Sequence, residues 1–67
     1  MKLKDIYMLI NIDDPIALYS SGGNVIYSIT TLRESEIELS KYKDNIVKRI
    51  MPNMFDNMPY LAILIEQ

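Results

Sequence analysis

The side chains able to do chemistry in this 67-residue chain are nine carboxylates, seven lysines and arginines, five tyrosines and a few hydroxyls, with no histidine and no cysteine. Those two absences remove the side chain that titrates near neutral pH and the thiolate that acts as nucleophile or soft metal ligand. The best carboxylate pair is Asp13-Asp14, directly ahead of Pro15. Two adjacent acids can hold a cation or share a proton, yet Asp before Pro at a helix exit is also ordinary turn chemistry. Glu34, Glu36 and Glu38 fall at a predicted helix start, where negative charge meets the positive end of the helix dipole. Gly22-Gly23 lacks the Gly-Lys-Ser or Gly-Lys-Thr ending of a phosphate-cradling loop and leads into a strand, so it reads as a turn. Tyr7, Tyr19, Tyr27, Tyr42 and Tyr60 could stack on bases. A net charge of −2 opposes that use, because nucleic-acid affinity comes from clustered cations that displace counterions. Packing in a core or an interface is the better reading of the tyrosines. No catalytic residue, metal site or cofactor is expected, and no enzyme.

Met51, Met54, Phe55, Met58 and Tyr60 are harder to assign to routine structure. Pro52 to Pro59 reads as a loop bounded by two prolines, and such a loop has little reason to concentrate large apolar side chains. They either fold under the sheet as a lid or meet another molecule. Methionine suits the second use, because its unbranched thioether repacks against varied surfaces.

Around these residues the chain is expected to form one domain over residues 1–67. A domain this small recovers little more free energy from burial than ordering the chain costs, so many such domains depend on disulfides, a metal or association. Without Cys or His only association is left. Half of the residues are hydrophobic, 49%, against 24% charged, which points to a homo-oligomer, a dimer first. The longest apolar run, Tyr60 to Ile65, falls far short of the roughly 20 residues of a membrane span. The opening apolar stretch Ile6 to Ile10 is too short and too closely flanked by acids for a signal peptide. A cytoplasmic protein is expected.

Leu3, Ile6, Tyr7 and Ile10 recur at helical spacing, predicting a helix over Leu3 to Asn11 that Pro15 prevents from continuing. Pro15 to Ser20 and Asn24 to Thr31 alternate with a period of two and flank Ser21-Gly22-Gly23, predicting a hairpin with a type I′ turn at the two glycines. In its second strand Val25, Tyr27 and Ile29 should share one face, and Ile26, Ser28 and Thr30 the other. Ser35 and Glu38 have the spacing of a capping box, predicting a helix over Glu36 to Lys43. Ile46 to Met51 and Tyr60 to Ile65 read as strands three and four, the last apolar on both faces and therefore central. The expected fold is α+β, α-β-β-α-β-β, with a four-stranded antiparallel sheet and the first helix packed on one face.

Lys2-Leu3-Lys4-Asp5-Ile6, the strand ending Leu18-Tyr19, the hairpin run Gly23-Asn24-Val25-Ile26-Tyr27 and the closing Leu61-Ala62-Ile63-Leu64-Ile65-Glu66 together resemble small uncharacterised accessory proteins of phages and prophages of Gram-positive bacteria. The resemblance implies no activity, but it implies a context: such proteins commonly bind a host protein, anti-CRISPR inhibitors of bacterial immunity among them. On that reading Asp13, Asp14, Glu34, Glu36 and Glu38 would face a basic surface of the host partner. Two other expectations stand beside it, a self-assembling structural or regulatory module and an oligomer that sequesters a small molecule between its tyrosines.

Overall fold

A computed structural model describes all 67 residues as α1 (Leu3–Tyr7), β1 (Ile16–Ser20), β2 (Val25–Thr30), α2 (Glu36–Ser40), β3 (Val47–Phe55) and β4 (Met58–Ile65). The α-β-β-α-β-β order is the expected one, and the four strands form one sheet in the order β2-β1-β4-β3. The sheet is not purely antiparallel: β1 and β4, the central strands, run parallel from Ile16 beside Leu61 to Ser20 beside Ile65. The cause is the route of the chain. Residues 31–46 carry it from one edge strand, β2, to the other, β3, a connection long enough to cross the sheet and enter β3 in the direction of β2. β4 then turns back against β3 and so lies parallel to β1. The central strands β1 and β4 carry no charge and hold the buried strand residues Ile16, Ala17, Leu18, Ala62, Ile63 and Ile65; β2 is uncharged as well but lies at an edge.

Both helices are shorter than their periodicity predicts. α1 stops at Tyr7 and α2 at Ser40; Met8 and Leu9, off the apolar stripe, are exposed, while Ile10 still packs on the core. The first free N–H groups of α1 donate to carbonyl oxygens of the 43–45 turn, Leu3 to Asn45 at 2.9 Å and Lys4 to Lys43 at 2.8 Å. Asp5 accepts from the Lys2 backbone N–H at 2.9 Å. A short helix with few internal bonds is marginal in isolation; here the neighbouring turn completes it. The chain ends are also joined, since Val47 N–H donates to Met1 and Glu66 N–H to Ile46, each at 2.8 Å.

The expected capping box is not formed. Ser35 precedes α2 but makes no side-chain cap bond. Its hydroxyl lies 2.7 Å from the Thr30 hydroxyl and donates to the Tyr27 phenol oxygen at 3.0 Å. Ser35 and Thr30 are both buried, so a polar tie between β2 and the start of α2 takes the place of the cap.

The expected two-residue turn is absent from the first hairpin and found in a second hairpin that was expected to be a loop. In β1–β2 only Gly23 has positive φ, +91°. Gly23 N–H donates to Ser20 C=O at 2.9 Å and Ser20 N–H to Asn24 C=O at 2.8 Å. That is a three-residue loop with glycine in the left-handed position, not a type I′ turn at both glycines. The two-residue turn with paired positive φ lies at Asp56 (52°) and Asn57 (64°). It joins β3 to β4 and converts the expected loop from Pro52 to Pro59 into a hairpin with Phe55 paired to Met58. Pro52 is tolerated because β3 is an edge strand, and Pro59 because β1 pairs with β4 only from Leu61 onward.

Leu3, Ile6 and Leu39 from the helices close a core with Ile16, Leu18, Ile63 and Ile65 from the central strands. This core occupies one face of the sheet. The opposite face has no helix over it.

Candidate binding surface

Register places Ala17 and Tyr19 of β1 beside Ala62 and Leu64 of β4, all pointing away from the helices. On β3, Arg49, Met51, Asn53 and Phe55 pair with Leu64, Ala62, Tyr60 and Met58 and share that face. The alternation expected in β2 fails, because the pairing with β1 slips between Ile16 and Leu18 and again between Leu18 and Tyr19. As a result Tyr27 and Ile26 pack on the core side, while Val25, Ser28 and Ile29 border the uncovered face. Each bulge rotates the side chains beyond it relative to a strict period of two.

Two tyrosines shape the middle of this face. The phenol oxygens of Tyr19 and Tyr60 lie 3.3 Å apart, although the residues belong to opposite ends of the paired segment. Their rings reach each other across Ala17 and Ala62, whose small side chains leave room, and both alanines are only 1% exposed despite the missing helix. The hydrogen bond to Tyr60, with burial adding to it, raises the Tyr19 pKa above the ordinary tyrosine value. Beside the tyrosine pair Val25, Ile29, Phe55 and Met58 line a groove of about 450 Å³. Phe55 is 65% exposed and Val25 62%.

Of the five residues singled out in the Pro52 to Pro59 region, Met51, Phe55, Met58 and Tyr60 share this face. Met54 alternates to the other side, opposite Pro59, and is exposed there. None of the five belongs to the core, so they do not form a lid beneath the sheet. Val25, Ile29 and the two alanines belong to the same surface and were not singled out in the sequence, and Tyr19 was weighed there only as one of the five tyrosines. The period of two in β1 already carried the signal for Ala17 and Tyr19, whereas the bulges hid the β2 residues.

The acidic residues lie elsewhere, all exposed. Asp13 is held by Arg33 through two bonds, Nε to Oδ1 at 2.7 Å and Nη2 to Oδ2 at 3.2 Å. Hydrogen bonding to the guanidinium lowers the Asp13 pKa and raises that of Arg33. Asp14 accepts from the Asn11 backbone N–H at 2.9 Å, as expected of an acid in a turn. Glu36 and Glu38 sit in the first turn of α2, and Glu34 in the turn before it. No group of three or more His, Cys, Asp or Glu lies close enough together to hold a metal ion.

A second hollow of about 450 Å³ lies on the helical side, lined by Lys4, Tyr7, Leu32, Arg33, Glu36 and Lys43 among others. Its cations are largely engaged, Arg33 by Asp13 and Lys4 by Asp44 at 3.7 Å. The Tyr7 phenol donates to Leu39 C=O at 2.9 Å, and burial pushes its pKa far up. The folded chain therefore keeps the Tyr7 proton at a pH where the unfolded chain has released it. The stabilisation is complete below the unfolded tyrosine pKa of about 10 and is lost as pH rises beyond it. Urea unfolding at about pH 8 and about pH 11 should show lower stability at the higher pH. Tyr7→Phe should cost about 1 kcal/mol at the lower pH and make the alkaline loss smaller; an alkaline loss unchanged in the variant would assign the effect to other groups.

No helix of the chain is long and apolar enough to cross a membrane. The chain matches no family model, no curated protein and no solved structure.

Proposed function

We propose that this protein is a non-enzymatic binding module that works through its surface. The observation that carries the reading is the concentration of Tyr19, Phe55, Met58 and Tyr60 on a sheet face with no helix over it. A chain of this mass has an accessible surface of roughly 4,400 Å² by the usual scaling, and the value here, 4493 Å², is ordinary. What departs from the ordinary is the kind of residue on that surface. On this face Val25, Phe55 and Met58 are exposed and adjoin one another around one groove, whereas exposed apolar residues such as Met8, Leu9 and Ile37 stand on the helical side without such a groove; adjoining apolar side chains mark a contact surface.

The acidic helical side offers a second, polar surface through Asp14, Glu34, Glu36 and Glu38. The resemblance to phage accessory proteins favours a role in which this side meets a basic surface of a host protein and blocks it. Tagged wild type should then recover one dominant protein from the host. Recovery should be lost in the triple variant Glu34→Lys, Glu36→Lys, Glu38→Lys and kept in Lys41→Glu. Recovery that is indifferent to the triple variant removes the acidic surface from the proposal, and recovery of nothing but this chain points to the self-assembling module instead.

A further inference from the structure

We infer that the uncovered sheet face pairs with the same face of a second copy of this chain, around a two-fold axis. The inference rests on the surface reading above and names its occupant.

Three routes of self-association are open to a sheet of this kind, two edges and one face, and the edges are obstructed. β3 carries Pro52, which donates no hydrogen bond, together with Lys48 and Arg49, which an edge pairing would set close to their own copies. β2 has neither charge nor proline, but its two slips in register bend it away from a regular ladder. The face remains. Among its register-paired residues Arg49 is the one charged side chain, and it lies on the edge strand, so two copies can meet without burying like charges at the centre. A hetero-partner's specificity usually includes charged complements, and the central strands offer none here.

The size also fits. A stable interface covers about 800 Å² on each partner, and the broad side of this molecule, with principal extents of 29 × 24 × 18 Å, has that order of area. Interfaces of permanent homodimers are more hydrophobic than other interfaces, and Val25, Ile29, Phe55, Met58 and Leu64 supply an apolar part here while Arg49 and Asn53 lie on the edge strand. Phe55 and Met58 stand on the β3–β4 hairpin beyond the start of β1 and form one wall of the groove, with Val25 and Ile29 on its far side. Under a two-fold axis the hairpin ridge of each copy enters the groove of the other. The two sheets then pack face to face as in a sandwich, with both acid-bearing helical layers turned outward.

Sedimentation velocity from about 1 to about 100 μM, a range bracketing the weaker affinities such interfaces show, tests the pairing. Wild type should sediment as two chains. Phe55→Asp, at an exposed position outside the core, should sediment as one chain with an unchanged far-ultraviolet circular dichroism spectrum. Ile37→Asp, at an exposed position on α2, should remain two chains. A wild type of one chain throughout the range overturns the inference, as does a species larger than two. So does a Phe55→Asp variant that still pairs, or an Ile37→Asp variant that does not. Failure here leaves the acidic surface to be judged by the capture experiment, because that experiment reads Glu34, Glu36 and Glu38 and not Phe55.

Discussion

Ile63→Ala is expected to destabilise the protein by about 3 kcal/mol, the middle of the range for emptying a fully buried aliphatic site. Ile63 is 0% exposed and lies on β4 between Leu18 of β1 and Ile50 of β3, facing the helices. Few buried residues share the load: the core cluster holds only seven, four of them on the two central strands. A chain of this length has a total stability of roughly 3 to 10 kcal/mol, so the variant should lose a large part of its margin and unfold at a markedly lower urea concentration. The adjacent residue gives the contrast. Leu64 is half-buried on the uncovered face, and Leu64→Ala should cost less than about 1 kcal/mol when the protein is dilute enough to keep copies apart. Its cost should grow with protein concentration if the face pairs with a second copy. Equal losses for the two variants at high dilution would mean that the sheet has no distinction between its faces.

Ser35→Asp separates two roles for one residue. If Ser35 capped α2, aspartate would serve about as well, since both are favoured at that position. The hydroxyl instead joins Thr30 and Tyr27 in a buried tie, and an aspartate there would bring a carboxylate into a site whose two partners are neutral hydroxyls. The expected loss is about 2 kcal/mol or more at neutral pH, reduced as pH falls and the carboxyl takes a proton. Ser35→Ala should cost about 1 to 2 kcal/mol, because the Thr30 hydroxyl then loses the partner on its buried side. Unfolding in urea across pH distinguishes the roles: an Asp variant as stable as wild type at neutral pH would restore the capping role.

Much of the fold was legible locally. The period of two in Pro15 to Ser20 identified a strand, and the unbroken apolar run Tyr60 to Ile65 identified a central one, because a strand buried on both faces carries little charge; the central place of Pro15 to Ser20 was not legible. The glycines located the first hairpin. The second hairpin was hidden by its own residues: prolines at 52 and 59 argue against strand, and only an edge position for one and an unpaired stretch for the other remove the objection. Asp56-Asn57 gave little warning of a tight turn, although Asn and Asp are the non-glycine residues that best accept positive φ.

The candidate surface divides in the same way. Met51, Phe55, Met58 and Tyr60 stood out as apolar residues without an evident place, and their types alone separated them from a solvated loop. That they join Tyr19, Val25 and Ile29 depends on strand order and on two bulges, which no period in the sequence reports.

By itself the sequence determined the order of the elements, the apolar character of the central strands and the lack of histidine and cysteine chemistry, since each follows from residue type and local spacing. Tertiary structure alone decided that β4 runs parallel to β1 and that Ser35 binds Thr30 and Tyr27 instead of capping a helix. Those outcomes depend on how residues 31–46 cross the sheet, a long-range choice that local preferences do not encode.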